Sequence, residues 1–371
     1  MTLKEKKKET HNPHKDRSLV LRFRAGQNIV ITLLSFAFSV GATRLFLELT
    51  GYPKLGGGEL HIAHVLWGGL LLFAAALIPI IFVNDWAATL SALVAGLGVG
   101  LFIDEVGKFI TSSNDYFHPS AAPIVYVFFL LTVLLAFQVR QNRPKSTRSK
   151  MYEIMERFSE VLDRDLSAYE REELIQSLVE VGKSEDRKEL SALAESMKQY
   201  LQTQNSKVKN IHPNFLDRQK IALIKFERKF LTRPKLRIAI LIGLLGSAIW
   251  SLVSPIFFFS ISKNALELQI FYEKLISNRL VRNANGLNWF ETRVLMEGSL
   301  ALIILVAALL FLLKKEKIGT WLGMISLIVA ITLVNLLVFY FEQFSTILLA
   351  TFQFLVLVLI MRYRNRFILN K

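Results

Sequence analysis

The sequence predicts an all-α polytopic membrane protein with about eight transmembrane helices and a small helical insert midway. Three observations carry this. Hydrophobic residues make up 52% of the 371, charged residues only 20%, and mean hydropathy is +0.39. Soluble domains run nearer about 45–50% apolar and about 25% charged. The apolar residues also fall in uninterrupted blocks of roughly 20, the length a ~30 Å hydrocarbon core demands at ~1.5 Å per residue. The blocks lack the period-two alternation of a barrel strand, which leaves helices as the spanning form.

Residues 1–26 form a polar, basic tail containing Lys6, Lys7, Lys8, Arg22 and Arg24. The first block, Gln27 to Leu47, is too long for a signal-peptide core and has no small-residue cleavage site, so it reads as an uncleaved anchor. His61–Val83, Trp86–Ile110 and Ala121–Val139 complete a four-helix region over 27–139. From 140 to 235 the chain is charged and periodic. Met151, Ile154, Met155, Phe158, Val161 and Leu162 recur at helical spacing, as do Leu190, Leu193, Met197 and Leu201. This segment reads as a helical cytoplasmic domain with Pro144, Pro213 and Pro234 punctuating its edges. A second four-helix region, 236–362, contains Leu236–Ile261, Val294–Leu313, Ile318–Phe341 and Phe344–Met361. Its outer loop, 262–293, carries an amphipathic pattern on Leu268, Phe271, Tyr272, Leu275 and Ile276. Residues 363–371 form a short tail.

The net charge of +15 is concentrated at block ends. It reads as positive-inside patterning with contact to anionic lipid, since no motif of basic residues and stacking aromatics points to nucleic acid. Both termini, the 140–235 insert and the Lys314-Lys315-Glu316-Lys317 turn then face the cytoplasm. The insert offers a surface for a protein partner. The chain has no cysteine, which excludes disulfides, thiolate metal sites and thiol nucleophiles.

With that topology the ionisable residues of the first four spans gather at the outer end. Arg44 and Glu48 close the first span, His61 and His64 open the second, and Asp104, Glu105 and Lys108 close the third. Asn114, Asp115 and His118 follow in the next loop. Ala92, Gly96, Gly100, Asp104 and Lys108 recur every four residues, and Gly68 lies one turn from His64. The spacing predicts that the second and third spans pack through Gly68 and the Gly96/Gly100 stripe, bringing His64 to Asp104. Charges at that depth are costly unless paired or used. The i,i+4 pairs Arg44–Glu48 and Asp104–Lys108 would neutralise each other in a purely structural reading. In a chemical one, Asp104, Glu105 and Lys108 are catalytic candidates, with Glu105 as general base. His61, His64, His118 and Asp115 are then candidate ligands for a divalent metal such as zinc. Gly56-Gly57-Gly58 reads as a flexible turn, Trp67 and Tyr116 as interfacial anchors, and Glu297, Asn335, Glu342 and Gln343 as an adjoining wall.

The strings Thr43-Arg44-Leu45-Phe46-Leu47-Glu48-Leu49-Thr50-Gly51-Tyr52-Pro53, Gly56-Gly57-Gly58-x-x-His61-Ile62-Ala63-His64-Val65-Leu66-Trp67-Gly68-Gly69 and Gly100-Leu101-Phe102-Ile103-Asp104-Glu105-Val106-Gly107-Lys108-Phe109-Ile110, with Asn114-Asp115-Tyr116-Phe117, resemble an uncharacterised family of bacterial multi-pass membrane proteins. The resemblance covers about the first 140 residues. It implies a bacterial plasma membrane and names no reaction. A looser similarity is to membrane hydrolases related to alkaline ceramidases, whose His and Ser spacing is not reproduced. Three functional readings follow: a metal-dependent membrane hydrolase, a solute transporter, and a non-catalytic sensor or scaffold. Hydrolysis comes ahead of transport, because the ionisable groups sit at one end rather than at the midplane where carriers bind.

Overall fold

The computed structural model describes residues 19–51, 63–140, 145–163, 166, 168–184, 187–203, 232–277, 281 and 284–368. Every regular element among them is helical. The first membrane region comprises α1 (Ala25–Thr50), α2 (His64–Ile81), α3 (Asp85–Asp104), the one-turn α4 (Val106–Ile110) and α5 (Ala121–Arg140). The insert supplies α6 (Thr147–Leu162), α7 (Ala168–Gly182) and α8 (Lys188–Thr203). The second region comprises α9 (Arg233–Ile261), α10 (Ala265–Ser277), α11 (Ala284–Leu312), α12 (Glu316–Val329), a π-helical turn at Ala330–Val334, α13 (Asn335–Glu342), a 3-10 turn at Gln343–Thr346 and α14 (Ile347–Phe367).

Among the described residues, seven helical stretches are long and apolar enough to cross a membrane, the last running 52 residues from Glu316 to Phe367. A straight helix of that length would reach ~78 Å, more than twice a hydrocarbon core. It instead folds back at Gln343, whose φ is 50°. Tyr363 Oη donates to Glu316 Oε2 (2.8 Å) and Arg364 Nη1 to the Lys317 carbonyl (3.3 Å), so the two ends of the stretch lie together. Seven stretches therefore make eight passes.

Small residues decide how the first region packs. α3 is a wedge with two different faces. On one, Gly96 and Gly100 meet α1; a Cβ at Gly100 would lie 2.5 Å from Ser39 Cβ, and one at Gly96 would overlap Ser35 Oγ. Hydroxyls fasten this seam to helix carbonyls: Thr32 Oγ1 donates to Ala92 O (3.0 Å) and Ser39 Oγ to Leu97 O (2.9 Å). On the other face, Gly98 meets α2. A Cβ there would lie 2.9 Å from Leu72 N, and one at Gly68 would lie 2.6 Å from Phe102 N. The expected contact of α2 with α3 through Gly68 is present. Its partner, however, is Gly98, because Gly96 and Gly100 project about half a turn away, towards α1.

α5 completes the region and joins it to the second. Val125 packs with Phe36, Val40 and Ile103. Tyr126 stacks on Phe339 (4.3 Å between centroids, 19° between planes) and donates to the Ile331 carbonyl in the π turn at 2.7 Å. The second region closes around Leu236, Ile240, Leu244, Ile304, Phe311, Leu327 and Ile360. Its sixth pass starts ten residues earlier than the apolar block, because α11 extends to Ala284. Within the 262–293 loop the amphipathic α10 forms as its spacing predicts. Leu268, Phe271, Tyr272 and Leu275 pack towards Phe258 and Phe290, while Ile276 stays exposed.

The insert is a small helical bundle, as expected. Met151 and Ile154 of α6, Leu174 and Leu178 of α7, and Ala194 and Leu201 of α8 form its core. Met155, Leu162 and Leu193 are exposed and lie outside it. Pro144, Pro213 and the 204–231 stretch lie outside the described residues.

Candidate functional site

The third span was expected to run unbroken to Ile110. It stops at Asp104, and Glu105 adopts φ −89°, ψ 8° before α4 resumes. Just past the break, Gly107 lets the 111–120 loop fold against α4, since a Cβ there would lie 2.7 Å from the Asp115 carbonyl oxygen. The interruption changes which residues pair. Lys108 no longer shares a stripe with Asp104, and its Nζ donates instead to Glu105 Oε1 at 2.6 Å. The expected Arg44–Glu48 pair is also replaced. Glu48 is exposed, while Arg44 turns inward to Asp104.

Asp104 is fully buried, and every donor it needs is supplied. Arg44 Nε lies 2.5 Å from Oδ1, Tyr116 Oη donates to Oδ2 at 2.6 Å, and His64 Nε2 lies 3.2 Å from Oδ2. Arg44 Nη2 also donates to the Asp104 carbonyl at 3.2 Å, satisfying an acceptor that the helix end leaves open. The Arg44 guanidinium is clasped between the rings of Tyr116 (4.3 Å) and Phe344 (4.0 Å).

Glu105 is as deeply buried as Asp104. Its Oε1 receives Lys108 and faces His64 Nδ1 at 3.4 Å. Its Oε2 accepts from the Val65 N–H at 3.3 Å. α2 has no side-chain cap of its own, so Glu105 supplies one from the neighbouring chain segment. His64 thus lies between two carboxylates with a ring nitrogen turned to each, and its side chain is only 18% exposed. Burial, then the charge of Asp104, push the Tyr116 phenol well above the usual tyrosine range, so it acts as a donor.

The remaining candidates stand apart. Asn114 is exposed and serves the loop by holding φ 53°, a conformation asparagine tolerates. Asp115 Oδ1 accepts from the Phe117 N–H at 3.0 Å, and His118 Nδ1 from the Ser120 N–H at 3.3 Å. Both are turn-forming contacts. His61 and the Gly56-Gly57-Gly58 run lie outside the described residues. Among the described residues, no three His, Asp or Glu side chains converge as a metal-ligand set. Trp67 is exposed.

Sequence reasoning missed Tyr116, read as an interfacial anchor, and it missed the opposite end of the same helices. Arg22 pairs with Glu156 (2.5 Å) and Arg24 with Glu160 (3.2 Å), while the Phe23 N–H donates to Glu156 Oε2 (2.7 Å). Asn84, in the α2–α3 turn, donates to Asp163 Oδ2 at 3.2 Å. The helical insert is therefore clamped to the start of α1 and to the α2–α3 turn. Helices α1, α2 and α3 carry the buried network at one end and this clamp at the other.

Apolar helices and charged ends fit a lipid bilayer. The class that fold and site define is an all-α polytopic membrane protein with a buried ion network at one end of its first region. Comparison with family models, with curated proteins and with solved structures found no match, so the family resemblance rests on its motifs alone.

Proposed function

We propose that this protein is a membrane sensor that couples a site at its outer face to its cytoplasmic helical domain. The observation that carries the reading is the shared scaffold. Arg44, His64, Asp104 and Glu105 sit at one end of α1, α2 and α3, and the residues that hold the insert sit at the other end of the same three helices. Close glycine contacts bind these helices rigidly, so a change in spacing at one end is carried along them. The network is suited to two arrangements. Arg44 and Lys108 balance Asp104 and Glu105, and His64 bridges the two carboxylates. A neutral imidazole carries one N–H and serves one carboxylate; only the doubly protonated ring donates to both. Any stimulus that takes His64 out of the bridge changes how the end of α2 is held against α3.

The orientation belongs to the same proposal: basic ends and insert in the cytoplasm of a bacterial plasma membrane, with anionic lipid at the basic ends and a protein partner on the insert. A second reading, acid–base catalysis at the membrane surface, is favoured by one observation. His64 and Glu105 lie in contact, as a proton-transfer pair requires. A zinc-dependent form of it needs His61 to join the cluster.

Coupling is reciprocal, which provides a test. Arg24→Ala, made at the inner clamp, should increase hydrogen exchange across 104–116 in the reconstituted protein. Exchange there equal to the parent's would count against the sensor reading.

A further inference from the structure

The second membrane region holds a separate chamber at its outer end. Its volume is about 240 Å³, and it lies between the end of α9, the roof formed by α10, the start of α11 and the end of α13. Five rings line it: Phe257, Phe258, Phe271, Phe290 and Phe341. Neighbouring rings meet at steep angles, 62° between Phe258 and Phe271 and 89° between Phe290 and Phe341.

The polar wall of the chamber is Ser254, Arg293 and Glu342. Arg293 is almost wholly buried and pairs with Glu342, whose side chain is 41% exposed at the rim. A second carboxylate, buried Glu297, lies one helical turn along α11, with Oε2 3.2 Å from Arg293 Nη2. That contact is off the line of the N–H bonds. Glu297 Oε2 and Arg293 Nε both lack a hydrogen-bond partner among the described residues. Among the described residues, one guanidinium thus answers two carboxylates. With both ionised, this described group is one positive charge short, where uncompensated charge is costly.

We propose that the chamber binds a compact organic cation, a quaternary ammonium of choline size. At roughly 30 Å³ per water-sized group the volume takes about eight non-hydrogen atoms. Phenylalanine faces attract a poorly hydrated ammonium through their quadrupoles, and Glu342 supplies the counter-charge. The chamber already hosts one such contact, with the Arg293 guanidinium 5.6 Å from the Phe290 centroid. A bound cation takes over Glu342 and frees Arg293 to turn to Glu297, which gives the two unpartnered atoms a partner each. The shared chemistry is the trimethylammonium group, whether free in solution or on a lipid headgroup.

The test uses the full chain in nanodiscs of phosphatidylglycerol, which has no ammonium headgroup. Choline is the probe and 3,3-dimethylbutanol its uncharged isostere. Calorimetry should show choline binding at one site per chain, with the isostere about ten-fold weaker. Glu342→Gln should weaken choline by a similar factor. Adding phosphatidylcholine distinguishes the sources: loss of the choline signal assigns the site to a lipid headgroup, and its persistence to a free cation. Equal binding of choline and the isostere would overturn the proposal, as would undiminished binding in a folded Glu342→Gln protein. So would absence of choline binding together with a melting temperature that phosphatidylcholine leaves unchanged.

Discussion

Arg44 neutralises the last carboxylate of the third span and closes the end of that helix with the same side chain. Its Nε lies 2.5 Å from Asp104 Oδ1, and its Nη2 donates to the Asp104 carbonyl. Removing either partner leaves the other charge buried and unmatched. Arg44→Ala and Asp104→Ala should each cost about 3–5 kcal/mol. Arg44→Lys should fall between parent and alanine, because an ammonium lacks the planar fork and the stacking. Reversible unfolding in mixed micelles measures this. Losses under about 1 kcal/mol would match an exposed pair instead.

The two faces of α3 should respond separately. Gly98→Leu forces α2 away from α3 and breaks the His64–Asp104 contact, whereas Gly100→Leu forces α1 away and breaks Arg44–Asp104. The absence of native cysteine allows a clean check by oxidative cross-linking. A cysteine pair at Ala75 and Ser91, whose hydroxyl donates to the Ala75 carbonyl at 2.7 Å, should lose its cross-link when α2 is displaced by Gly68→Leu and keep it with Gly100→Leu. Equal loss in both would mean that the faces are not independent.

Much of this was legible in the sequence. Apolar block length gave the spans, and the placement of Arg44, His64, Asp104 and Glu105 at one shared end followed from counting passes. The helical period placed His64 on the Gly68 face, and the structure brings it to Asp104. What failed was phase beyond the break at Glu105. Gly107 looks like any helical small residue until the loop folds on it, so the pairing of Lys108 and the arrival of Tyr116 had no local signal. The choice between Gly96/Gly100 and Gly98 for α2 depends on where two other helices stand. The inner clamp was hidden because Glu156 and Glu160 look like ordinary solvated positions on an amphipathic helix.

Topology is tested with single cysteines at two exposed positions. Ser112→Cys, in the loop beside the network, should react with an impermeant maleimide in intact cells. Ser146→Cys, at the start of the insert, should react only after permeabilisation. The reverse pattern would invert the proposed orientation.

The stability that Glu160 contributes to the fold should fall as pH rises. Burial pushes the Glu160 carboxyl up from its ordinary value to about 7, with Glu170 adding to the effect and Arg24 opposing it. Its folded-state affinity for the proton exceeds that of the unfolded chain, so this contribution is fully present below about 4.5. It declines as pH rises through about 7 and is flat above. Thermal melting of the reconstituted protein between pH 5 and 8 should show that decline, and Glu160→Gln should flatten it. A Glu160→Gln profile with the parent's slope would assign the effect elsewhere.

The coupling of the two ends is tested most directly by hydrogen–deuterium exchange across 147–163 in nanodiscs, comparing the parent with Asp104→Asn. The substitution lies in the buried ion network, and α6 lies at the far end of α1–α3, held by Glu156, Glu160 and Asp163. The sensor account predicts faster exchange in 147–163 when Asp104 is neutralised, with exchange in the core of α9 unchanged. Faster exchange confined to 104–116, with 147–163 as protected as in the parent, would contradict it.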